Sequence, residues 1–195
     1  ALRPSGASGL LVSSLEAFER YQERDAWVWE HQALTRARYC AGDKAIGEKF
    51  EALRERLLQQ PRELGALRKE ILAMREKLHA AHPNTSGLFD VKHDRGGMID
   101  IEFAVQYLVL ACSGKHPGLT RNLGNIALLK MAGGFSLIDA GTAEKAADAY
   151  RNYRRLQHAL RLNGARYARV EPGAVAAEKL AVSELWEALF GRTGP

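Results

Sequence analysis

Cysteine is scarce in this chain. Cys40 and Cys112 are its only two, in 195 residues, and no metal-ligand spacing links them. That excludes a disulfide-stapled secreted scaffold, and the pair reads as free thiols in a reducing, cytoplasmic compartment. Long apolar runs are missing too. The longest, Phe103 to Cys112, is interrupted by Gln106 and falls short of a membrane span. No signal peptide opens the sequence, and there is no repeat, low-complexity tract or coiled-coil heptad. Excess charge of one sign is slight: 28 Lys and Arg against 23 Asp and Glu give a net +5. Such a balance suits a partner bearing phosphates or an acidic surface, without establishing nucleic-acid binding. What is present is an ordinary globular composition, 46% apolar and 26% charged. The length allows one good-sized domain or two small ones. The sequence opens on Ala1-Leu2-Arg3-Pro4 with no initiator methionine, and is read as a piece of a longer protein.

The spacing of apolar residues predicts an all-α helical bundle with a short β remnant at the N-terminus. Pro4, Gly6 and Gly9 lead into Leu10-Leu11-Val12, which reads as turn and strand. Ser13 and Glu16 have capping-box spacing, so a helix starts there. A second helix is expected from Ala26 to Ala41, with Trp29, Ala33 and Ala37 at helical spacing and Gly42 as its stop. A third covers 44–59. A fourth runs from Pro61 to Ala81, with Leu64, Leu67, Ile71, Met74 and Leu78 on one side and a solvated Arg, Lys and Glu face on the other. Further helices are expected at 97–113, 121–133, 142–163 and 177–190.

One stretch differs from the rest. Phe89 to Phe103, FDVKHDRGGMIDIEF, puts Lys92, His93, Asp94 and Arg95 before Gly96-Gly97 and a helix apolar nearly all round. Asp100, Glu102 and Gln106 are partly buried in such a helix, so the two carboxylates each need a cation or donors. The nearest candidates in the pattern are Lys92, Arg95, and Arg36 or Arg38 on the second helix. Functionally, Gly96 and Gly97 let a backbone approach an anion at a helix N-terminus, with Lys92 and Arg95 adding charge. Structurally, the same residues make a tight turn and a salt-bridge network. Residue types alone leave both open. Elsewhere, His79, His82 and His93 lack a completing Cys or acidic ligand, so no metal is expected. Tyr150 and Tyr153 with Arg151, Arg154 and Arg155 read as a solvated basic face rather than a stacking platform. Ser5 and Ser8 have no paired His.

Three stretches combine into a resemblance: Leu2-Arg3-Pro4-Ser5-Gly6 with Gly9 and Val12; Trp29-Glu30-His31-Gln32-Ala33-Leu34-Thr35-Arg36-Ala37-Arg38; and Asp90-Val91-Lys92 with Gly96-Gly97 and Asp100-Ile101-Glu102-Phe103. Their order and spacing resemble the bacterial glutamine synthetase adenylyltransferase/adenylyl-removing enzymes over nearly the whole chain. The Gln-Ala-Leu-x-Arg-Ala-Arg wording is similar to the C-terminal, adenylyltransferase half.

The resemblance implies transfer of AMP from ATP to a tyrosine of glutamine synthetase, in the regulation of nitrogen assimilation. It implies a nucleotidyltransferase core followed by a helical domain. Residues 1–12 are then the strand and turn remnant of that core, and 13–195 the helical domain. The core's metal-binding carboxylates are expected upstream of Ala1, since no acidic residue precedes Glu16. ATP and magnesium would serve the parent enzyme, with neither bound by this chain, which is expected to be inactive alone. By the same resemblance Arg3, Ser5, Gly6, Lys92, Arg95, Gly96 and Gly97 face the nucleotide, while Trp29, Glu30, Arg36, Arg38, Asp100 and Glu102 orient them. Expected partners are glutamine synthetase, a PII-type signal protein, the missing core and the adenylyl-removing half. No membrane or nucleic acid is expected among them. The alternative from another class is a non-enzymatic basic helical domain that binds RNA or regulatory proteins.

Overall fold

The computed structural model describes residues 12–191. Eight α-helices form it: α1 Leu15–Arg24, α2 Val28–Leu34, α3 Lys44–Leu58, α4 Leu64–Ala80, α5 Met98–Cys112, α6 Asn125–Gly134, α7 Ala140–Leu162 and α8 Ala176–Phe190. One two-stranded antiparallel sheet joins β1 Phe89–Asp90 to β2 Arg169–Val170, with Phe89 opposite Val170 and Asp90 opposite Arg169. Single 3₁₀ turns lie at Pro117–Thr120 and Pro172–Val175. The expected all-α architecture is present. The strand expected before Val12 lies outside the described residues. None of the described helices is long and apolar enough to cross a membrane.

The chain divides into two compact units. The first runs to Ile71 and adds Val109–Asn122; the second comprises Leu72–Leu108 and everything from Leu123. In the first unit, Ser14 caps α1 by accepting the Ala17 N–H at 3.2 Å, and Asp43 caps α3 by accepting that of Ile46 at 3.0 Å. Leu34, Leu53, Leu57 and Leu58 form its buried centre. Arg54 is buried among them and donates to three carbonyls, those of Leu34, Thr35 and Thr120, at 2.8–3.0 Å.

Arg54 also accounts for a departure from the sequence reading. The second helix was expected to reach Ala41, yet α2 stops at Leu34. Carbonyls that a longer helix would bond internally are turned to Arg54 instead, and Thr35 Oγ1 donates to Gln32 O at 2.6 Å. The inward face is inverted as well. Trp29 and Ala33 are exposed, while Glu30, His31 and Gln32 are buried. Glu30 is satisfied by the Tyr21 hydroxyl, 2.9 Å from both carboxylate oxygens, and by the Trp27 N–H at 3.0 Å.

In the second unit α7 packs against α6 and α8. Alanines 143, 146, 147 and 149 line its buried side and permit close approach. A side chain on Gly133 of α6 would come within 2.9 Å of the Ala143 methyl. Trp186 and Phe190 of α8 meet at a tilt of 45° with centroids 4.4 Å apart, and Phe190 meets Tyr107 of α5 at 5.0 Å. Helix α6 starts at Asn125 rather than the expected 121, because Arg121 (ψ 145°) and Gly124 (ψ 162°) have non-helical backbone after the 3₁₀ turn at 117–120.

Candidate functional site

The second unit holds β1 and the loop that leads from it into α5. Asp90 and Asp94 build the first half of this loop. Asp90 Oδ1 accepts the N–H groups of Lys92 and His93 at 3.0 and 3.1 Å. Asp94 Oδ2 accepts the Asp90 N–H at 2.8 Å and the Asn84 amide at 2.7 Å. Arg169 of β2 closes on Asp90 from the opposite strand, at 3.6 Å. These are Asx-type turns, in which a short carboxylate replaces the missing backbone acceptor.

The second half is organised by Asp100 and Arg75. Both are almost fully buried. Arg75 Nε donates to one oxygen of Asp100, and its Nη2 reaches the carbonyls of His93 at 3.0 Å and Asp94 at 3.4 Å. The other Asp100 oxygen accepts the Gly96 N–H at 2.6 Å. Gly96 O in turn accepts the hydroxyl of buried Tyr153 at 2.9 Å. The two glycines serve different needs. Gly96 sits at φ +83°, where a side chain is strained. Gly97 has ordinary backbone, but a Cβ there would lie 2.9 Å from the carbonyl oxygens of both Val91 and Asp94.

This geometry corrects the sequence reading at several points. The cation that meets Asp100 is Arg75, not Arg36, Arg38 or Lys92. Arg75 belongs to the part of α4 read as a solvated face. Glu102 is half-buried and accepts the Tyr150 hydroxyl at 2.9 Å, so a donor meets it rather than one of the cations named from the pattern. Backbone donors assigned to an anion are committed internally: Gly96 N–H to Asp100, and Gly97 N–H to Asp94 O at 3.0 Å. Arg95 is exposed but bonded through one nitrogen to both oxygens of Glu76, at 2.8 Å each. Lys92 remains, an exposed ammonium on a pinned backbone, its N–H held by Asp90 and its carbonyl accepting from Ile99 at 3.2 Å. Trp29, Glu30, Arg36 and Arg38 belong to the first unit, where Trp29, Arg36 and Arg38 are exposed. Arg3, Ser5 and Gly6 lie outside the described residues. Among those described, no group of three or more His, Cys, Asp or Glu converges to hold a metal ion.

Sequence reasoning missed Arg75, Tyr153 and Arg169. A signal for Arg75 was available: it is four residues after Ile71 and three before Leu78, on the apolar stripe of α4. His82 and His93 stack with parallel rings 4.2 Å apart. Burial is the main cause that lowers the His93 pKa below 6.5. His82 and Lys92 push the same way, and Asp90 opposes them. His31 in the first unit is likewise lowered, first by burial and then by Arg62, against Glu30 and its bond to Gln22 O.

A family model described as glutamate-ammonia ligase adenylyltransferase matches residues 1–53, and one described as GlnD PII-uridylyltransferase matches residues 65–170. Relatives named bifunctional glutamine synthetase adenylyltransferase/adenylyl-removing enzyme are 58% identical in Burkholderia mallei, 59% in Bordetella bronchiseptica and 60% in Ralstonia nicotianae. Each alignment covers 97% of this chain but only 20–21% of the relative. The chain thus spans about a fifth of the length of the curated relatives it matches.

Two outcomes test the site. Arg75→Ala strands Asp100 as a buried, uncompensated charge and is expected to cost about 3–5 kcal/mol in urea unfolding. Glu102→Ala removes one hydrogen bond at a half-buried position and should cost about 1 kcal/mol, while exposed Glu70→Ala changes little. An Arg75→Ala chain as stable as the unmodified one would refute the buried-pair account. The histidines set the pH response. Their folded-state pKa values lie below the ordinary 6.5, so the unfolded chain takes up protons first. Stability is therefore full above that value and falls as pH drops through it. His93→Gln should flatten the fall between neutral pH and about pH 5; an unchanged slope contradicts the assignment.

Proposed function

The chain belongs to the GlnD PII-uridylyltransferase family, whose model takes in more than half of it, and we propose that it is the helical segment beside the nucleotidyltransferase core of a glutamine synthetase adenylyltransferase. The observation that carries this reading is identity of 53–60% over 97% of the chain to relatives of that name. The match to a glutamate-ammonia ligase adenylyltransferase model over residues 1–53 supports the reading as well, and the Gln-Ala-Leu-x-Arg-Ala-Arg wording of residues 32–38 favours the adenylyltransferase half. On this reading the parent protein is cytoplasmic, transfers AMP from ATP to a tyrosine of glutamine synthetase, and is regulated by a PII-type signal protein.

Lys92 is the residue of the loop that fits the work. Its ammonium is exposed and its backbone is fixed, so little ordering accompanies contact with a phosphate oxygen. A charge-assisted hydrogen bond of this kind contributes roughly 1.5–3 kcal/mol. Arg95 must first leave Glu76, so its contribution is smaller. Magnesium does not fit here. Asp90, Asp94 and Asp100 are each engaged by backbone or guanidinium donors, and no step is assigned to a metal on these residues. On this reading AMP transfer falls to residues outside this chain, with Lys92 as an anion contact rather than a catalytic group.

The reading is tested in a protein extended to the full length of its relatives. Lys92→Ala should lower adenylylation of glutamine synthetase by about ten-fold or more, and Arg95→Ala by less. The chain alone, with labelled ATP, magnesium and glutamine synthetase, should leave the acceptor at the no-enzyme blank. Unaltered kinetics in the full-length Lys92→Ala protein would remove the residue from the site. Labelling by the chain alone would overturn the placement of the chemistry elsewhere.

A further inference from the structure

Two histidines meet where the connection from α4 to β1 reaches the loop before α5. His82 stands at the start of that connection, residues 81–88, and His93 belongs to the loop. Their ring centroids are 4.2 Å apart and their planes within 6° of parallel. His82 is exposed and His93 half-buried. Asn84 ties the same connection to the loop a second time. Its amide donates to Leu88 O and to Asp94 Oδ2, at 2.7 Å each.

The hydrogen bonds fix the tautomers. His82 Nδ1 faces Leu78 O at 2.9 Å, and His93 Nδ1 faces Asp90 Oδ1 at 3.3 Å. Both partners are acceptors, so each Nδ1 donates and each ring takes its second proton at Nε2. A shared metal ion does not account for the pair. A metal bound by an imidazole nitrogen lies in the plane of the ring, and two parallel planes have no such point in common.

Charged groups approach the pair from several elements. On β1 and the loop, Asp90 faces His93, Lys92 precedes it, and Asp94 is engaged by Asn84 and the Asp90 N–H. On α4, His79 precedes His82 by one turn, Glu76 is paired with Arg95, and Arg75 donates to His93 O while paired with Asp100 of α5. From β2, Arg169 lies 3.6 Å from Asp90. From α8, the Lys179 ammonium lies over the Phe89 ring, 4.8 Å from its centre. Asp90 is therefore the carboxylate that meets the histidines, and Arg169 and the N–H groups of Lys92 and His93 already share it. It can offset one charged ring but not two in contact.

We propose that the His82–His93 stack is a proton-operated clasp, which holds the 81–88 connection against the loop while the rings are neutral and releases it when both are charged. One proton leaves it closed, because a single charged ring meets no like charge across the stack. The second opens it, so the two rings titrate as a coupled pair. What is released is the connection alone. The loop from Asp90 to Asp100 keeps its own bonds, and none of its backbone N–H groups donates to an imidazole. The clasp lies within the second unit and does not depend on AMP transfer.

NMR of the full chain tests it. A nuclear Overhauser cross-peak between the His82 and His93 rings should be present at about pH 7.5 and lost at about pH 5. The Gly96 and Gly97 amides should keep their exchange protection at both, which separates release of the connection from acid unfolding. His82→Phe keeps a ring without the second charge, at an exposed position where the helical circular dichroism should not change. In this variant the cross-peak between the rings should persist at the lower pH. The His93 titration midpoint should also rise by about half a unit or more. A clasp is ruled out by any of four results: no cross-peak at the higher pH, a cross-peak that survives acid in the unmodified chain, an unchanged His93 midpoint in His82→Phe, or glycine amides that open together with the stack.

Discussion

A carboxylate that enters the interior on a helix with scarcely a polar face must be met there by a positive group. Asp100 enters on α5, and Arg75 of α4 meets it. A single ion pair would not repay the desolvation of two charges, so further donors and acceptors are recruited. Asp100 takes the Gly96 N–H, Arg75 takes the carbonyls of His93 and Asp94, and Tyr153 finishes the Gly96 carbonyl. The path of the loop follows from this set of bonds. Gly96 has a left-handed backbone because its N–H must face Asp100, and Gly97 has no side chain because two carbonyls press on its Cα.

The first unit solves a similar problem with more backbone and less carboxylate. Arg54 is buried with Glu51 3.7 Å away, and its other donors reach three carbonyls. Burial lowers its pKa, but an arginine so far above neutrality stays charged. Both units are therefore organised around a guanidinium that reads backbone oxygens. Its planar fork suits it to that work, where a lysine would supply a point charge alone.

These uses explain what the sequence made legible. Helices α3, α5, α7 and α8 were readable to within a few residues, and Asp43 and Asp139 cap two of them in the structure. The end of α2 was not, because it is set by Arg54, twenty residues further on. Arg75 was misread because a charged residue on a mostly charged helix looks solvated, and only its position on the Ile71–Leu78 stripe says otherwise. The unusual composition of residues 89–103 drew attention to the loop. The division of labour within it was hidden. Gly-Gly at a helix start has the same spelling whether its N–H groups wait for a ligand or are filled by a carboxylate four residues on. Of the cations expected there, only the folded geometry separates Arg95, paired with Glu76, from Lys92.

One property of this loop sets it apart from an ordinary connection. From Asp90 to Asp100 every backbone N–H except that of Arg95 donates to an acceptor inside the protein. A segment bonded in this way opens only when the helices it leans on open, so in amide exchange it behaves as part of the core. It does not fray like a surface turn. Its outer edge is then closer to a fixed tool than to a lid. Whatever it touches must be brought to Lys92 by movement elsewhere.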